Sequence, residues 1–100
     1  NTATNVNDEK ITIESFALYQ NYPNPFNPST KISWQSPYGG YQTLKVYDIL
    51  GREVTTLIDE YRNAGKYEIE FNAGQLSSGI YFYQLKTENF VETRKMILLR

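Results

Sequence analysis

Residues 43–59, "TLKVYDILGREVTTLID", decide the fold class. The first half alternates, with Leu44 and Val46 on one side and Lys45 and Tyr47 on the other. That is the period of a strand, in which successive side chains point to opposite faces. Asp48 suits the first position of a type I turn, since its carboxylate can accept from the amide two residues on. Gly51 suits the left-handed position that closes such a hairpin. The second half carries Val54, then Leu57 and Ile58, and this shift in phase predicts a β-bulge. The stretch therefore reads as one β-hairpin.

Further period-two runs lie on both sides. "TKISWQ" (30–35) puts Ile32 and Trp34 on one face. "GKYEIEFN" (65–72) sets Tyr67, Ile69 and Phe71 against Glu68 and Glu70. "GIYFYQLKT" (79–87) sets Tyr81, Tyr83 and Leu85 against Ile80 and Phe82. "FVETRKMILLR" (90–100) ends the sequence, and "ITIESFALYQ" (11–20) alternates loosely as a first strand. Turn residues separate the runs: Gly39 and Gly40, Asn63 and Gly65, Gly79, and Asn89. No run has the period of a useful helix. About seven short strands with regular turn signals predict an all-β fold, a small antiparallel β-sandwich. Trp34, Val46, Tyr67, Ile69, Phe71, Tyr83 and Leu85 are the expected core.

Composition narrows the function. A chain of 100 residues that is 40% hydrophobic can hold one modest core. Its formal charge of −1 offers no basic surface for nucleic acid. No apolar run reaches membrane-spanning length, so membrane insertion is not expected. Residues 1–10 are polar and show no signal peptide, so the chain is expected to be intracellular or a fragment of a longer exported protein. With no His and no Cys, imidazole or thiolate metal sites, disulfides and His-dependent triads are excluded. No metal, cofactor or catalytic residue is expected, nor an enzyme. Glu68 and Glu70 read as a solvated face rather than an acid-base pair. Nine tyrosines stand out, and most are expected at inward positions.

Three of the four prolines fall within "NYPNPFNPST" (21–30). Proline lacks an amide hydrogen and biases the preceding residue towards extended geometry. The segment is expected to be a stiff, non-pairing ribbon on a sandwich edge. Tyr22 and Phe26 are its expected anchors, and Asn24 and Asn27 are expected to bond their own backbone. Protection of an edge and direct contact with a partner both fit it. "MILL" (96–99) is apolar on both faces, which fits either a buried last strand or a strand offered to a partner. In Gly79-Ile80-Tyr81, Gly79 is expected at positive φ and Tyr81 as a core ring whose hydroxyl returns to a backbone carbonyl.

Four stretches, "NYPNPFNPST", "LKVYDILGREV", "LSSGIYFYQL" and "RKMILLR", together resemble the C-terminal sorting domain of the type IX secretion system, the Por secretion tail of type A. The resemblance covers about residues 16–100. It implies an immunoglobulin-like antiparallel sandwich of about seven strands that serves as an address tag. Attached cargo would be carried across the periplasm to the surface or medium of Bacteroidetes-type bacteria. The implied partners are the outer-membrane type IX translocon and its sortase-like cell-surface peptidase. The family's motifs fall on Pro23, Asn24, Pro25, Phe26, Asn27 and Pro28, on Gly79 and Tyr81, and on Lys95, Met96, Ile97, Leu98 and Leu99. Ser36, the "FNAG" at residues 71–74 and Arg100 depart from its pattern.

The expected organisation is a linker or tail from a preceding cargo domain over residues 1–13 and a sorting domain over residues 14–100. The rival reading is an accessory binding module of a secreted enzyme, for polysaccharide or as a spacer. An exposed row of aromatic rings would favour that rival. Because an apolar strand ends the sequence, strand pairing with a second copy is expected at residues 95–100.

Overall fold

The structure is a computed structural model, and it describes residues 12–100. The expected tail over residues 1–13 lies almost wholly outside the described residues. Seven strands follow in chain order: β1 (Ala17–Leu18), β2 (Ser29–Ser36), β3 (Gly40–Tyr47), β4 (Glu53–Arg62), β5 (Gly65–Asn72), β6 (Gly79–Lys86) and β7 (Val91–Leu98). They form two sheets, one of three strands in the order β1-β2-β5 and one of four in the order β4-β3-β6-β7. Every strand pair is antiparallel. The expected all-β sandwich is what the residues build.

The core lies between the sheets. Leu18, Ile32, Trp34 and Phe71 come from the smaller sheet, and Leu44, Val46, Ile58, Tyr81, Tyr83, Leu85, Met96 and Leu98 from the larger. Phe26, from the proline segment, and Ala73 complete it. Of the expected core residues, Tyr67 and Ile69 are only half-buried. The reason is position, since β5 is an edge strand and its inward side chains are covered from one side only.

The phase shift read in residues 53–59 is a real irregularity. Leu44 faces Ile58 but Lys45 faces Thr56, so Leu57 is the extra residue. A second shift leaves out Val54, between Val46–Thr55 and Tyr47–Glu53. Both residues thereby turn their side chains against the core. Ser36, a departure from the family's pattern, is fully buried without loss of a hydrogen bond. The Trp34 indole donates to Gln42 Oε1 at 3.0 Å, and Gln42 Nε2 donates to Ser36 Oγ at 2.7 Å.

Two expectations fail here. The first strand shrinks to Ala17–Leu18, and Phe16 leaves the sheet to stack on Phe90 at 4.9 Å and meet Tyr38 edge-on at 5.4 Å. The tyrosines are mostly not inward, since Tyr19, Tyr22, Tyr38, Tyr41 and Tyr61 are exposed. Alternation fixes that neighbours face opposite ways, but which face meets the second sheet is a tertiary matter.

Candidate recognition surface

The larger sheet carries apolar side chains on its outward face, and three of the sequence stretches supply them. The first is the β3–β4 turn. The Asp48 carboxylate accepts from the amides of Leu50 and Arg52, each at 2.9 Å, and from Arg52 Nε at 3.0 Å. These bonds, that of the Arg52 amide foremost, hold its carboxyl below the usual carboxylate range. Gly51 adopts φ +83°, the expected left-handed closure. The turn so fixed presents Ile49 and Leu50, which are 66% and 74% exposed.

The second is the start of β6. Gly79 has φ +153°, and the Tyr81 hydroxyl donates to the Ser77 carbonyl at 2.7 Å, as expected. Because Tyr81 and Tyr83 point inward, Ile80 and Phe82 point out. The third is β7 with the residue after it: Met96 and Leu98 are fully buried, while Lys95, Ile97 and Leu99 point out. The register joins the three, with Tyr47 opposite Phe82, Phe82 opposite Lys95, and Ile80 opposite Ile97. One end of the outward face thus gathers Tyr47, Ile80, Phe82 and Ile97, with Ile49, Leu50 and Leu99 around them. Alternation alone sets Ile80 and Phe82 on the second face of their strand, and the β6–β7 register brings Ile80 to Ile97.

The proline segment takes a seat that was not foreseen. It was expected to be non-pairing, yet it pairs twice. Tyr22 exchanges both backbone bonds with Lys31, at 3.0 and 2.9 Å. Phe26 bridges β7 in parallel fashion, its amide donating to the Ile97 carbonyl and its carbonyl accepting from the Leu99 amide, each at 2.9 Å. Prolines remove only their own amides, and the residues between them keep theirs. Asn24 does not bond its own backbone; its Oδ1 accepts from the Ile97 amide at 2.9 Å. Gln20 Nε2 adds a bond to the Lys95 carbonyl at 2.7 Å. Of the two expected anchors, Phe26 is buried and Tyr22 is 79% exposed. Tyr22 projects because its backbone, not its ring, makes the contact. Pro25 and Asn27 are also exposed.

A buried latch holds the entrance of this segment. The Tyr83 hydroxyl donates to the Tyr19 carbonyl at 2.6 Å and accepts from the Asn21 amide at 2.7 Å. Burial pushes the phenol up to about 12. Asn21 Nδ2 donates to Thr30 Oγ1 at 2.9 Å and to the Pro23 carbonyl at 3.1 Å. At the other end, Arg100 Nη1 reaches the carbonyls of Gly74 at 2.7 Å and Leu76 at 2.8 Å. β7 is therefore not a bare terminal edge. An upstream segment already occupies the outward backbone groups of Ile97 and Leu99.

Among the described residues, no group of three or more His, Cys, Asp or Glu side chains could hold a metal ion. The surface offers an apolar patch and a clamped strand, which is chemistry for recognition.

A family model described as "Secretion system C-terminal sorting domain" matches residues 20–99. No curated protein matches. Among solved structures, dimeric latent PorU from Porphyromonas gingivalis is similar with a TM-score of 0.66 and 17% identity, over 87% of this chain and 10% of that one. PorZ, an essential surface component of the type IX secretion system of the same organism, is similar with a TM-score of 0.58 and 19% identity, over 83% of this chain and 11% of that one. At such identities the likeness shows the fold alone. The chain spans about a tenth of the length of either protein.

Proposed function

The chain belongs to the secretion-system C-terminal sorting domain family, and from that premise we propose that its outward apolar patch is what the type IX machinery reads. Proteins with this domain are exported to the cell surface or the medium, and the domain family is generally non-catalytic. In our reading the domain folds in the periplasm and the outer-membrane translocon docks on Tyr47, Ile80, Phe82 and Ile97. A sortase-like surface peptidase then acts in the chain before residue 14, where cargo would be joined. The domain itself does no chemistry.

The candidate sorting residues take distinct roles in this reading. Lys95, Ile97 and Leu99 meet the partner. Met96, Leu98, Gly79 and Tyr81 shape the strands beneath. Asn24 and Phe26, held in register by Pro23, Pro25, Asn27 and Pro28, clamp β7 so that the patch has one shape. The observation that carries the proposal is the convergence of "DILG", "GIYF" and "KMIL" on one surface. An apolar patch on a solvent-facing sheet marks an interaction site. The rival polysaccharide module draws less support, because the exposed tyrosines form no row. Tyr19 and Tyr22 lead into the proline segment, Tyr38 leans on Phe16, and only Tyr41 and Tyr61 face each other.

The test is a fusion of residues 1–100 to a signal-peptide-bearing fluorescent protein in a type IX-competent host and in a translocon-deficient sister strain. Export in the first and periplasmic retention in the second are expected. Retention in both would overturn the proposal.

A further inference from the structure

The sandwich treats its strand edges unequally. The far end of the β7 edge, from Lys95 to Leu99, is occupied by residues 20–26, β1 is two residues long, and β4 is broken by two bulges. Each is a known way of blunting an edge. β5 has none of these. Its eight residues pair with β2 in unbroken register from Gly65 to Asn72, and among the described residues no strand pairs with its other side. It contains no proline, and its side chains alternate between inward Tyr67, Ile69 and Phe71 and outward Lys66, Glu68 and Glu70.

Beside this edge the sandwich is open. A groove of about 580 Å³, lined by Val54, Thr55 and residues 71–76, lies between β4 and the end of β5. Val54, Leu57, Ile69 and Leu76 are half-buried along the same side and pack on the core. Among the described residues, neither Glu68 nor Glu70 makes a salt bridge. Ser33 and Lys31 stand opposite them on β2, and no described strand faces them on the free side.

We propose that the free edge of β5 is a strand-addition site for an extended peptide that alternates apolar and basic residues. Main-chain pairing would continue the smaller sheet. The peptide's apolar side chains would extend the Tyr67–Ile69–Phe71 row over the open groove, and its lysines or arginines would face Glu68 and Glu70. A second copy of this chain fits less well. Antiparallel self-pairing centred on Ile69 sets Glu68 against Glu70 twice, and centred on Glu68 it sets Glu68 against itself between two Lys66–Glu70 pairs; like charges directly opposite are destabilising, and a basic partner strand has none. The site is separate from the patch on the larger sheet, so its failure leaves the sorting proposal standing.

The probe is a blocked peptide of about six residues, the usual strand length, alternating lysine with valine or isoleucine. Titrated into the full chain, it should shift the backbone amides of β5 in NMR spectra. Glu68→Lys with Glu70→Lys should weaken binding roughly ten-fold or more and restore binding of the matching glutamate peptide. Both residues are exposed, so the variant should fold. N-methylating alternate amides on the pairing side of the lysine peptide keeps its charge and should abolish binding. Undiminished binding of the methylated peptide would overturn the inference. So would no binding of the parent peptide, shifts mapping to β4 or β7, or concentration-dependent dimerisation through β5.

Discussion

Removing one oxygen atom, by Tyr83→Phe, should loosen the proline segment from the sheet. The hydroxyl accepts from the Asn21 amide at 2.7 Å and donates to the Tyr19 carbonyl at 2.6 Å. Tyr83 and Asn21 are 0% and 2% exposed, so water cannot easily replace it. Two net hydrogen bonds of about 1 kcal/mol each are lost and a buried N–H is left without a partner, for a cost of about 2–4 kcal/mol. In a domain of this size that is a fall in Tm of roughly 8–20 °C. Urea unfolding followed by Trp34, the single tryptophan and a buried one, should read the loss directly. Hydrogen exchange should show Asn21 losing protection before the β6 amides do. The substitution also changes the alkaline limb. The phenol sits at about 12 when folded, above its ordinary value of 10.0, so folding favours the neutral form. That contribution is intact below pH ~10 and is lost as pH rises through ~12, and Tyr83→Phe should lack this step. A stability loss below about 0.5 kcal/mol would refute the latch.

Gly51→Val should cost about 1–3 kcal/mol from backbone strain alone, since a Cβ there meets nothing within 4 Å; urea titration checks it. Phe26→Ala removes a ring that is 2% exposed and should cost about 3–5 kcal/mol, with Leu99 losing exchange protection alongside. Leu98→Lys should prevent folding, whereas Leu99→Lys, at a site 55% exposed, should leave the circular dichroism spectrum unchanged.

What could be read from the sequence was local. The alternation of residues 65–72, the Asp48–Gly51 turn, the bulge at Leu57 and the returning hydroxyl of Tyr81 each depend on neighbours a few positions away. The seat of Phe26 on Ile97 and Leu99 could not be read, because it joins segments far apart in the chain and uses only backbone atoms. The Tyr83 latch is similar, binding residues 62 and 64 positions upstream. The outward faces of Tyr41 and Tyr61 were missed because period two does not say which face a second sheet covers. Arg100 gave no signal beyond its departure from the family's pattern. The patch was half legible: Ile80 and Phe82 sat on the wrong face for a core, but their meeting with Ile97 needed the β6–β7 register.

Whether the outward patch is the surface that is read can be decided by export of the fluorescent fusion carrying Phe82→Asp and Ile97→Asp. Both side chains point outward, so the domain should remain folded by circular dichroism, and Glu88→Lys on the β6–β7 turn serves as the control. The double variant should accumulate in the periplasm while the control reaches the surface like the parent. A folded double variant exported at the parental level would contradict that role of the patch.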